Sequence, residues 1–289
     1  MALERWCSLS RVKKDPYTCV SEELKNLTAR NVISALVKAF VSCYSLYREE
    51  SKGAGYIPQF SRTASEKLSE SFTCDKAKPL LEQSSKYLDT LLSELSTTFD
   101  AVFTISLMLV SRLAIYTRNP LMPLEIAIAW DPLLNLPYIP ASSLKGTARA
   151  WLELNNYKSI EGVDLDDIFG SSTREKAHIS LAIFTDAYPV SCLNRLVEPD
   201  VITPHYSGDN IAEVDVNPTP LVFPTIAPGV TMKFILALRF SLDNKQLLDP
   251  QKAVNIAQHV VKALENGVGA KTSVGYGRVR PVIAESKVR

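Results

Sequence analysis

Histidine is scarce in this sequence: His178, His205 and His259 are the full set among 289 residues. No HExxH, no His-Asp pair and no G-x-S-x-G element occurs. Metal-assisted hydrolysis and serine-nucleophile chemistry both need such second members close by, so no catalytic residue, metal or cofactor is expected. The five cysteines, Cys7, Cys19, Cys43, Cys74 and Cys192, include no CxxC pair. Disulfide frameworks and tetrahedral zinc sites draw on closely spaced thiolates. Scattered single cysteines instead predict reduced thiols and a cytoplasmic setting. The N-terminus MALERWCSLSRVKKD lacks an uninterrupted apolar core, so no secretory leader is expected. The most apolar window, Ala101 to Tyr116, is broken by Ser106, Ser111 and Arg112. It is too short and too polar for a bilayer span, which predicts a soluble chain with no membrane partner. Neither charge sign dominates, with 32 Lys and Arg against 31 Asp and Glu. A generally basic protein is thereby excluded, and any contact with phosphate must come from a local basic patch.

What is present divides near residue 100. Before it, Ile33, Leu36, Val37, Phe40, Val41, Tyr44 and Tyr47 follow the helical period. A connector, GAGYIPQFSRTAS, leads to a second amphipathic segment carrying Leu81, Leu88, Leu91, Leu92 and Leu95. From Ala101 the period changes to two. Phe103, Ile105, Leu107 and Leu109 mark one strand, and Leu124, Ile126, Ile128 and Trp130 mark another. Ser142-Ser143 offers a helix N-cap, with Leu144, Ala148 and Trp151 as the buried stripe. HISLAIFTDA predicts a strand with Ile179, Leu181 and Ile183 on one side.

Residues 188–228 form a long excursion whose prolines, at 189, 199, 204, 218, 220, 224 and 228, argue against continuous sheet. A strand alternating from Val230 to Phe240 follows, then a helix entered through Asp249-Pro250 and ended at Gly267. RVRPVIA closes the order. The succession β, α, β, excursion, β, α, β is that of an α+β, ferredoxin-like chain behind a helical extension at 1–99.

Two elements carry site chemistry. The first is GVGAKTSVGYGR, Gly267 to Arg278. As a nucleotide loop it fails, because Ala270 stands before Lys271 and Glu265 takes the place of the first glycine. It also leaves a helix and enters a strand, the reverse of a phosphate cradle. A C-terminal cap explains Gly267 and extends to Gly269; Gly275 and Gly277 around Tyr276 point to a closely approached backbone. Lys271, Thr272 and Arg278 supply donors suited to phosphate oxygens. The second element is SSLKGTAR, with Ser142, Ser143, Lys145, Gly146 and Arg149. A cation and a glycine in the first turn both oppose the helix, and an anion close to the backbone resolves the conflict. In the excursion, DVITPHY places His205 beside Tyr206; with no second catalytic member, a stacking or structural role is expected.

IPASSLKGTAR, DVITPHY and GVGAKTSVGYGR, in this order and spacing, resemble the RAMP superfamily of CRISPR-associated proteins, and within it the sixth-subunit family of the type III-B Cmr effector complex. Singly these motifs are weak; three in order are specific. The resemblance covers about residues 100 to 285, departing at Ala141, where relatives often carry glycine. It implies an RRM-derived RAMP core at 100–289 that binds guide RNA through its backbone. It further implies a thumb at 188–228, with Ile202, His205 and Tyr206, wedged at the guide–target duplex. Partners implied are CRISPR guide RNA, its target RNA and other RAMP subunits of a hetero-oligomer. The competing readings are a metal-independent RAMP endoribonuclease, with His205 as base and Lys271 stabilising the transition state, and a nucleotide-binding regulator.

Overall fold

The computed structural model describes residues 16–50, 55–171, 178–203, 220–242 and 245–289. Four helices open the chain: α1 (Pro16–Glu23), α2 (Val32–Glu50), α3 (Tyr56–Ser71) and α4 (Cys74–Thr98). After them come β1 (Ala101–Leu109), α5 (Ala141–Leu154), α6 (Leu165–Phe169), β2 (Ala182–Phe184) and β3 (Tyr188–Ser191). The remainder is β4 (Val197–Ile202), β5 (Leu221–Ile226), β6 (Thr231–Leu238), α7 (Pro250–Leu264) and β7 (Val279–Val288). This is an α+β chain. Among the described residues no helix is long and apolar enough to cross a membrane.

Helices α2 and α4 fall where the apolar period places them, but α3 replaces most of the connector expected at 53–65. Its serines and proline mislead. Phe60, Ala64 and Leu68 recur at the helical spacing and are fully buried. Ser65 lies on the same face and donates its hydroxyl to the Ser61 carbonyl (2.6 Å), so the helix supplies its own acceptor. Pro58 sits in the first turn, where its missing N–H has no intrahelical partner to lose.

The main sheet has the order β7-β1-β6-β2, antiparallel throughout, with β3 also paired to β6. Phe103 stands opposite Leu236 and Ile105 opposite Phe234. These side chains join the large core shared with α5 and α7, whereas Val102, Ile235 and Ala237 pack against Leu92 and Phe99 at α4. With helices on both faces, β6 has no fully solvated side, and its residues from Met232 to Leu238 are buried apart from Lys233.

Four expectations are corrected. No strand runs through Leu124: the segment instead satisfies its backbone locally, Ala127 N–H donating to the Thr117 carbonyl at 2.9 Å. The alternation there records burial of Leu124 and Ile128 without a ladder, while Trp130–Asp131 pairs briefly with Leu136–Pro137. In β2, pairing sets Ala182 opposite Leu238 and Phe184 opposite Leu236. Ala182 and Phe184 therefore face the core, while Ile179 and Ile183 are 67% and 39% exposed. The excursion does contain sheet: β4 and β5 pair over six positions, from Val197 opposite Ile226 to Ile202 opposite Leu221. Pro199 meets Pro224, a pair that fits a position where antiparallel strands exchange no hydrogen bond. Pro204, His205 and Tyr206 lie outside the described residues. Finally, four cysteines are paired, Cys19 with Cys43 and Cys74 with Cys192, at Cα separations of 5.9 and 5.8 Å. Packing of α1 on α2, and of the start of α4 against the chain leaving β3, closes sequence gaps of 24 and 118 residues that spacing alone reads as scatter.

Candidate nucleic-acid interface

The glycine loop leaves α7 and enters β7. Asp249 caps α7, its carboxylate accepting from Lys252 N–H at 2.9 Å, and Ala253, Ala257, Val260 and Leu264 bury one stripe. Gly267, Gly269, Gly275 and Gly277 all take positive φ, between 66° and 114°. The close approach at two of them is the protein's own backbone. A Cβ on Gly277 would lie 1.9 Å from the Val268 carbonyl oxygen, and one on Gly269 would lie 2.5 Å from that of Ala114. The loop is bonded to the chain leaving β1: Ala270 N–H donates to Ala114 (2.8 Å) and Gly277 N–H to Arg112 (2.7 Å). Lys271 itself is left-handed (φ 61°) and starts a single tight turn over Thr272–Val274. Among the described residues none accepts from the amides of Lys271, Thr272 or Ser273. Three adjacent exposed residues with unbonded amides and a lysine side chain offer donors suited to an anion.

This pairing of the loop with residues 112–114 sets it beside the start of α5. Helix α5 begins one residue before the expected cap, after Pro140, and neither Ser142 nor Ser143 caps it. The first amide is bound across the fold, Ala141 N–H donating to the Asp186 carboxylate at 2.6 Å. Ser142, Ser143, Gly146 and Thr147 share a groove of about 460 Å³ with Gly269, Ala270 and the stretch Ile115–Arg118. Tyr116, exposed and left-handed at φ 53°, and Arg118, exposed with no hydrogen bond or ion pair among the described residues, are groove residues that no sequence motif marks. Gly146 differs from the loop glycines. It sits in regular helix, and a Cβ there would meet nothing within 4 Å.

The SSLKGTAR element is divided between two sides of α5. Lys145 and Arg149 project from the other side of α5 into a separate cleft of about 640 Å³. Lys145 donates to Ser180 Oγ (2.6 Å) and the Ala182 carbonyl (3.1 Å). Burial, then the neighbouring Arg149 charge, holds its pKa below the usual lysine value. Arg149 bonds Glu153 (2.7 Å), Asp166 (2.7 Å) and the Gly170 carbonyl (2.6 Å). The carboxylate bond to Glu153 is the largest influence holding its guanidinium charged. Trp151, expected in the core stripe, is only half-buried; Leu152 fills that position.

Tyr276 is tied to the excursion. Its hydroxyl donates to Asp200 on β4 at 2.6 Å, and burial together with that bond pushes its pKa up to about 12. Arg112 reaches Glu198 (2.9 Å) and Asp200 (3.7 Å) on the same strand. The β4–β5 hairpin is thus tied to the glycine loop. Arg278, the last loop residue, is exposed at the mouth of β7.

An α+β chain with a glycine-rich loop hydrogen-bonded beside a serine–glycine helix start defines a class. The chain belongs to the RAMP superfamily, whose family model matches residues 121–280. It is similar to the protein described as CRISPR system CMR subunit Cmr6 of Saccharolobus solfataricus, 37% identical over 152 residues. That match covers 53% of this chain and 47% of the relative, so the chain spans about half the length of the curated relative it matches. A chain in the cryo-EM structure of the Type III-B Cmr-beta bound to cognate target RNA has the same fold. The TM-score is 0.70 and the identity 24%, covering 93% of this chain and 97% of that one.

Proposed function

We propose that the chain is a non-catalytic, RNA-binding subunit of a type III-B CRISPR ribonucleoprotein, holding guide RNA by its backbone beside other RAMP subunits and a target RNA. The observation that carries this reading is the groove. Ser142, Ser143 and Gly146 come against Gly269 and Ala270, next in sequence to Lys271, Thr272 and Ser273, whose amides find no acceptor among the described residues. Amides, hydroxyls and one lysine bind phosphates but read no base edges, so recognition is largely independent of sequence. The sheet order β7-β1-β6-β2 supports a ferredoxin-like, RRM-derived core behind a helical extension at 1–99. The β4–β5 hairpin supports a thumb within 188–228, with Ile202 at its described end and His205 and Tyr206 beyond it.

The test is polarisation of a labelled single-stranded RNA against salt. Lys271→Ala is expected to weaken binding and to lower the log–log salt slope by about 0.7, one phosphate contact. Unchanged affinity and slope would remove the groove as the site. Repeat RNA incubated in EDTA is expected to remain intact; cleavage abolished by His205→Ala would replace this reading with the endoribonuclease one. No binding of ATP or GTP is expected in titration, and binding of either would revive the nucleotide-regulator reading.

A further inference from the structure

The main sheet has a face that α4 covers only in part. Leu92 and Phe99 close its end near Val102, Ile235 and Ala237, and Tyr87 meets Tyr188 on β3. The corner between β7, β1 and the start of β6 stays open. Pairing fixes which side chains share it: Val282 and Lys233 stand on either side of Ser106, and Arg280 stands opposite Met108. Beyond β1, Val110 N–H donates to the Arg278 carbonyl at 2.8 Å, so this pair continues the same face. Met108, Val110 and Val282 are 38%, 46% and 59% exposed, direct or diagonal neighbours on the pleat.

Three cations surround this apolar corner. The side chains of Lys233, Arg278 and Arg280 have no hydrogen bond or ion pair among the described residues. The one carboxylate of β7, Glu285, stands opposite Thr104 and turns to Lys287 at 3.7 Å. This composition selects an occupant. Bases of a single strand stack on aromatic rings, whereas the exposed apolar side chains of the corner are methionine and valine. A second copy of this chain would set Lys233, Arg278 and Arg280 against their own equivalents, since a two-fold contact puts one patch on itself. Methionine and valine rimmed by cations instead fit a protein segment that carries carboxylates among apolar side chains. The apolar area leaves water, and a carboxylate takes two parallel N–H bonds from a guanidinium.

We propose that this corner of the sheet is a docking surface for an acidic, apolar segment of a partner protein, its carboxylates on Lys233 and Arg280 and its apolar side chains on Met108, Val110 and Val282. The surface lies on the side of the sheet away from α5 and α7, and its occupancy does not depend on the groove binding RNA. In an extended segment every second side chain shares a face, so leucine and glutamate at alternate positions of that face match the mixed rows of the corner.

The experiment measures polarisation, on the full chain, of a labelled peptide in which leucine and glutamate alternate at every second position with serine between. Saturable binding is expected. Arg280→Glu and, separately, Lys233→Glu should weaken it several-fold, and Val282→Thr should weaken it with little change in salt dependence. The two charge reversals together should bind the matching leucine–lysine peptide better than the wild type does. Lys271→Ala, at the groove, should leave the peptide unaffected. Arg280 and Val282 are exposed, so their replacement leaves the core intact even where Lys233→Glu disturbs its half-buried site. No saturable binding, or equal binding of a serine–glutamate peptide without leucine, overturns the proposal. A dimer in sedimentation that Arg280→Glu dissolves also overturns it, making a second copy the occupant. Arg280→Glu that spares the peptide but weakens a long oligouridylate as Lys271→Ala does overturns it in favour of RNA.

Discussion

Gly146→Ala separates folding from RNA contact more sharply than any charge removal. The added methyl meets nothing within 4 Å, and the residue lies inside α5 without positive φ, so no clash or strain is introduced. Relative to glycine, alanine lowers the entropy of the unfolded chain and raises helix propensity, together about 0.5–1 kcal/mol. Stability in urea should therefore rise by about that amount. On the proposed function, the same methyl in the second turn of α5 stands in the groove where an RNA phosphate would lie. Holding the phosphate off by a methyl radius removes a close amide or hydroxyl contact, worth about 1.4 kcal/mol, or roughly tenfold in affinity. Urea unfolding and polarisation with a long oligouridylate, on the same preparation, read the two effects independently. A protein that becomes more stable yet binds RNA as before would refute the reasoning. A protein that becomes less stable would refute the helical description of Gly146.

Other outcomes follow from the same geometry. Gly277→Ala drives a Cβ to 1.9 Å from the Val268 carbonyl and breaks the loop's bonds to Val268 and Arg112, so denaturation should show a loss of about 3 kcal/mol. Gly275→Ala meets nothing within 4 Å but keeps φ at 96°, and should cost only about 1 kcal/mol. Tyr276 has its pKa raised from 10.0 to about 12, so the folded state keeps a proton that the unfolded chain releases. Its contribution is complete below pH 10 and is lost as pH rises toward 12; Tyr276→Phe should flatten that alkaline fall in stability, measured by urea unfolding across the window. Cys74→Ser opens a loop of 118 residues and should lower stability by about 4 kcal/mol, with the wild-type pair resisting alkylation until reductant is added.

The tie between hairpin and loop bears on how the surface keeps its shape. Exposed ion pairs such as Arg112–Glu198 contribute little individually, about 0–1 kcal/mol. The buried-edge bonds matter more. Leu113 and Ile226 exchange both backbone bonds at 3.0 Å, and Tyr276 binds Asp200 at 2.6 Å. The hairpin, the exit of β1 and the glycine loop are therefore bonded into one unit, with the groove on one side of it.

The sequence by itself determined what depends on neighbours along the chain. Helix α7 is legible from the Asp249-Pro250 start, the stripe Ala253, Ala257, Val260 and Leu264, and Gly267 at its end, because caps and helical period act within a few residues. Strands β1 and β6 are legible for the same reason. The need for glycine at 267, 269, 275 and 277 was also written there, though not its cause. Only the tertiary structure decided the rest. Whether Cys74 meets Cys192, whether Pro199 can sit in a ladder, and whether Ser142 faces the same solvent as Lys145 are set by packing between distant segments. In SSLKG, successive residues turn 100° about the helix, so a motif contiguous in sequence is split between two clefts. Arg118 and Tyr116 carry no local signal, yet the pairing of Ala114 with Ala270 brings them to the groove. Close approach of backbones fixes that pairing, and it exists only in the folded chain.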